Sequence, residues 1–107
     1  MDLDRLLPLL AFRHRILGAD SAEGRARIEA IAGRPLDPAE FAAAVARLLG
    51  SGLIHDPVTL PAGALQCHWR LDLTQQGFEM VQAMQRERGM SVDALIARII
   101  SPPVISP

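Results

Sequence analysis

A chain of 107 residues, 50% of them hydrophobic, has room for one packed domain and not for two. An aromatic fraction of 4% makes that core aliphatic, and a net charge of −1 provides no overall basic field toward nucleic acid or an anionic membrane. All basic residues are arginine, a bias spread over the whole chain that reads as codon usage before it reads as phosphate chemistry.

Cys67 stands alone, so no disulfide forms within the chain, which fits a reducing compartment. The first residues carry acids ahead of the apolar run and no small-residue cleavage site, unlike a signal peptide. No apolar run approaches the roughly 20 residues of a membrane span. The expectation is a cytoplasmic protein that does not enter a membrane.

Leu3, Leu6, Leu7, Leu10, His14 and Leu17 recur at helical spacing and predict a first helix over residues 3 to 17, with Pro8 near its start and Gly18 as its stop. Residues 21 to 33 predict a second helix, capped by Ser21, with Ile28, Ile31 and Ala32 as its apolar stripe. The third helix has the clearest start. Asp37-Pro38-Ala39-Glu40 sets an acceptor at the N-cap, proline at the first helical position and an acid at the third. Phe41, Val45, Leu48 and Leu49 form its inward face, and Ala39, Glu40, Ala42, Ala43, Ala46 and Arg47 point outward.

A hairpin over residues 53 to 73 follows, with its turn at Pro61-Ala62-Gly63-Ala64. Pairing Pro61 with Ala64 sets Leu60 against Leu65, Val58 against Cys67, Asp56 against Trp69 and Ile54 against Leu71. It leaves His55, His68 and Arg70 on the polar face. Thr74 caps a fourth helix with Phe78, Val81 and Met84 inward. Ser91 caps a fifth with Val92, Leu95, Ile96, Ile99 and Ile100 apolar. There is no internal repeat and no linker, so residues 1 to 107 read as one mostly α (α+β) domain of about five helices with a two-stranded hairpin.

Catalysis and metal binding find no support. Cys67 and His68 are adjacent on a strand and point to opposite faces, so they neither ligate one ion nor form a nucleophile pair, with or without His55. Asp56 and Glu40 make no evident acid–base pair. No cofactor motif is present. Arg13-His14-Arg15 fits a helix C-terminus complementing its dipole.

The segment Phe41-Ala-Ala-Ala-Val-Ala-Arg-Leu-Leu-Gly-Ser-Gly-Leu-Ile54, followed by Trp69-Arg-Leu-Asp-Leu-Thr-Gln-Gln-Gly77, resembles the winged helix-turn-helix superfamily. The nearest likeness is to small bacterial regulators of the MarR and PadR kinds. The resemblance implies that residues 38–50 are the recognition helix, 53–73 the wing and 74–101 helices available for dimerisation.

It also implies a DNA-binding transcriptional regulator. Arg25, Arg27, Arg34, Ala43, Arg47, His55, His68 and Arg70 would meet double-stranded DNA. A homodimer would form through Leu3, Leu6, Leu10, Leu95, Ile96, Ile99 and Ile100. The outward face of the third helix has one arginine, one glutamate and a run of methyl groups, while base readout uses Arg, Lys, Asn or Gln. The alternative is a winged-helix interaction or assembly module whose third helix packs on a protein.

Overall fold

The computed structural model describes residues 1–59 and 68–101. The element order is α1 (Leu3–Arg13), β1 (Ile16–Gly18), α2 (Ser21–Ala32), α3 (Pro38–Gly50), β2 (Val58–Thr59), β3 (His68–Leu71), α4 (Gln75–Arg88) and α5 (Val92–Ile100). The strands form an antiparallel sheet in the order β1-β3-β2. This is the mostly α, winged-helix-like arrangement expected from the sequence, with the β2–β3 hairpin extended by one strand.

α1 is the centre of the molecule. Leu3, Leu6, Leu7, Pro8, Leu9 and Leu10 are all buried. α3, α4 and α5 pack against this apolar surface, and Asp4, Arg5, Phe12 and Arg13 are left exposed. The helix starts at Leu3, capped by Asp2, so Pro8 lies in its interior rather than at its start.

It also ends four residues earlier than expected, at Arg13. His14 is its exposed C-cap, and Ile16–Gly18 turn into β1. Ile16 pairs with Leu71 and Gly18 with Trp69, and Leu17 points outward at 37% exposure. Helical spacing from His14 to Leu17 had disguised an alternating strand.

The hairpin register is shifted by two residues from the expected one. Val58 lies opposite Trp69, not Cys67, and Ile54 bridges to Leu73, not Leu71. A one-residue slip would reverse the faces, but a two-residue shift keeps every apolar side chain on its side. Polarity alone therefore could not separate the two registers. Asp56 no longer faces Trp69. It is exposed and accepts from the Val58 N–H at 3.0 Å. The expected turn and the pairings of Leu60, Leu65 and Cys67 lie outside the described residues.

Helix caps follow local sequence closely. Asp37 accepts from the Glu40 N–H at 2.9 Å, Thr74 from the Gly77 N–H at 3.1 Å and Ser91 from the Ala94 N–H at 3.1 Å. α2 differs by one residue: Asp20, not Ser21, accepts from the Glu23 N–H at 2.8 Å. Glu29 then secures the turn into α3, its carboxylate accepting from the Leu36 N–H at 2.6 Å.

Asp37→Ala removes one of these acceptors from the start of α3. It is expected to lower stability by about 1 kcal/mol. Urea denaturation should show a lower midpoint with an unchanged slope.

Besides Leu17, four residues expected inside are outside: Ile31 is 38%, Leu49 41%, Val58 59% and Phe78 42% exposed. Phe78 packs edge-on against Phe12 with ring centroids 5.8 Å apart, a pair lying over the core rather than within it. α5 lies against α1, and Arg13 Nε reaches Asp93 Oδ1 at 3.0 Å.

Candidate interaction face of the third helix

α3 presents two different stripes to solvent. Its inward face is Phe41, Ala44 and Leu48, with Val45 half-buried. Ala44 is fully buried. Leu49 faces outward at 41% exposure. The outward positions Ala39, Glu40, Ala42, Ala43, Ala46 and Arg47 are exposed, as the sequence implied.

The first stripe is apolar. Pro38, Ala42, Val45, Ala46 and Leu49 line an open groove of about 420 Å³ beside α2, floored by Phe41 and Trp69. The two rings are tilted at 43°, with centroids 5.9 Å apart. Arg25 borders the groove from α2, and its Nε is buried without a hydrogen-bond partner.

The second stripe is dominated by acids. Asp2, Asp4, Glu40, Ala43 and Arg47 border a polar recess where the start of α1 runs beside α3. Arg47 closes its fork on Asp4. Nε lies 3.2 and 3.1 Å from the two carboxylate oxygens, and Nη2 lies 3.0 Å from Oδ1. Hydrogen bonding to Asp4 raises the Arg47 pKa further, so this guanidinium is permanently charged. The pair is exposed and salt-screened, and its weight is in where it holds the side chain rather than in stability.

The remaining expected DNA contacts are dispersed. Arg27 pairs with Glu23 at 3.4 Å along α2, and Arg34 Nη2 donates to the Ile100 carbonyl at 3.2 Å, at the end of α5. Arg70 and His68 share the exposed face of β3, opposite Trp69, and Arg70 Nε lies 2.6 Å from Asp72 Oδ2. His55 is exposed, and its backbone N–H donates to the Asp72 carbonyl at 3.0 Å. Arg25 is thus beside the α3 groove, Arg47 beside the α1 start, Arg34 at α5 and Arg70 on the sheet.

The acids that engage these arginines were not singled out from the sequence. Asp72 was legible there, two residues beyond Arg70 on the same strand face. Asp4 was not, being 43 positions from Arg47.

The side chains expected at a dimer interface mostly fill this subunit's own core. Leu3, Leu6, Leu10, Leu95 and Ile96 are each no more than 7% exposed, and Ile99 and Ile100 are half-buried against the same cluster.

Among the described residues, no group of His, Cys, Asp or Glu is placed to hold a metal ion, and no helix is long and apolar enough to cross a membrane. No family model, no curated protein and no solved structure matches the chain, so the winged-helix likeness rests on its own topology and register.

Proposed function

We propose that this chain is a winged-helix module that docks onto a partner protein through α3 rather than reading DNA with it. The observation that carries this reading is the Arg47–Asp4 fork, which engages the one cation on the outward face of α3. What remains there is a row of methyl groups flanked by Asp2, Asp4 and Glu40. Base edges call for donors and acceptors that reach into a groove, and carboxylates beside a phosphate backbone repel it. An apolar stripe with a charged border is the composition of a protein contact.

A second reading, a homodimeric DNA-binding transcriptional regulator, draws on the β1-β3-β2 sheet and on Arg25 and Arg27, both on α2 next to α3. Fluorescence anisotropy of a labelled random duplex, from low salt upward, separates the two. The docking reading expects no binding at the lowest salt. The DNA reading expects affinity that falls linearly in log salt, is lost in Arg47→Ala with Arg70→Ala, and rises in Asp4→Asn as Arg47 is released. A protein that co-purifies with the wild-type chain and not with the stably folded Leu49→Asp variant would place the contact on α3.

A further inference from the structure

We propose that the cleft between α1, the end of α4 and α5 binds a medium-chain aliphatic carboxylic acid, with its carboxylate held by arginine and its chain on an apolar floor. The cleft lies away from α3, and the inference stands apart from the docking reading above. Its floor is Met84, Met90, Leu95 and Ile99. Leu95 is buried, and the other three are half-buried. Thioether side chains are flexible and polarisable and adapt to a chain of no fixed shape. Among the described residues, no aromatic ring lines the cleft to stack on a planar ligand.

Arg5, Arg88 and Arg98 stand at the rim, with Glu87 as the one carboxylate among the lining residues. Arg13, Arg27, Arg47 and Arg70 each have a carboxylate mate within 3.4 Å. Among the described residues Arg88 and Arg98 have none, as is true also of Arg15, Arg25, Arg34 and Arg86, and Arg5 reaches Asp2 only at 3.5 Å. What marks this rim is that its arginines converge on one apolar cleft with a single described carboxylate beside them. The planar guanidinium fork matches a carboxylate. A free phosphate would leave the apolar floor unused.

The cleft volume is about 270 Å³. At roughly 30 Å³ for each water-sized group, it takes a ligand of about nine heavy atoms, close to the ten of octanoate, whose end can project from the open mouth. It lies at the small end of the roughly 300–1,000 Å³ typical of ligand sites.

The test uses the full chain and octanoate, with acetate and octanol as controls, read by thermal melting and by amide chemical shifts. Octanoate is expected to raise Tm saturably and to move the Met84, Met90 and Ile99 resonances. Acetate and octanol should bind roughly tenfold or more weakly. Arg88→Gln with Arg98→Gln should lose roughly tenfold in octanoate affinity. Both sites are exposed helix ends, so the ligand-free variant should melt only a few degrees lower. The proposal is overturned by a Tm that does not respond to octanoate, by an equal response to octanol, or by unchanged affinity in the double variant. It is equally overturned by shifts centred on Phe41 and Leu49, or by binding to anionic vesicles without binding to free octanoate.

Discussion

Gly77→Ala is expected to destabilise the protein by about 3 kcal/mol, the upper end of what overpacking a tight contact costs. A Cβ at this position would overlap the Leu53 carbonyl oxygen and meet the Leu73 side chain at 3.0 Å. A side chain in the way can rotate, but this carbonyl cannot. It accepts from the Thr74 N–H at 3.0 Å, and Leu53 in turn donates its N–H to Leu48 at 3.0 Å.

The Thr74 hydroxyl holds the same junction, donating to the Gly52 carbonyl and accepting from the Gly77 N–H. Gly52 turns the chain out of α3 with a φ of 73°, a conformation open to glycine without strain. The end of α3, the entry to β2 and the start of α4 thus meet at one backbone contact. Moving α4 outward to admit a methyl group would break these bonds together. Urea denaturation should show the midpoint fall with little change in slope. A loss under about 0.5 kcal/mol, within the range of an ordinary surface substitution, would mean that the junction is looser than this geometry.

The caps at Asp37, Thr74 and Ser91 were legible in the sequence. Each depends on residues within a few positions of one another, whereas the close approach of Gly77 is to Leu53, a distant part of the chain. What was not legible depends on distant partners. β1 is three residues long and pairs with a strand some fifty positions later, while its Leu17 happens to continue the spacing of α1. Ile31, Leu49 and Phe78 fit helical stripes but not the faces that α1 left available. The hairpin register kept its polarity and lost its offset because a two-residue shift is invisible to alternation.

The outward surface of α3 divides in the same way. Its alanines could be read directly. The carboxylate that engages Arg47 comes from 43 positions earlier in the chain, and no local pattern announces it. That contact is what the docking proposal rests on, because composition alone left Arg47 free for a phosphate.

Gly24→Ala is expected to cost about 2 kcal/mol and to disturb the α3 groove at the same time. Alanine is the better helix former by about 1 kcal/mol, so propensity alone predicts a gain. Packing predicts the reverse. Gly24 is buried in α2, and a Cβ there would run into Cε3 and Cζ3 of the Trp69 ring. Trp69 is 4% exposed and tilts onto Phe41, so the ring has no free space to retreat into except toward the groove that the two rings floor. The clash outweighs the propensity gain only if the ring is held this tightly.

Trp69 is the single tryptophan of the chain, so its fluorescence reports on this contact alone. Gly24→Ala should shift its emission to the red and lower the urea midpoint. Gly50→Ala is the matched control, at the end of α3 with nothing within 4 Å of the added methyl. It should leave the emission unchanged and the stability equal or slightly higher. If Gly24→Ala instead behaves like Gly50→Ala, Trp69 does not pack on α2 and the groove loses its floor. If it behaves as expected, the residue that joins α2 to the sheet also shapes the surface of α3, and the stability of the fold and the form of the proposed docking face cannot be varied independently.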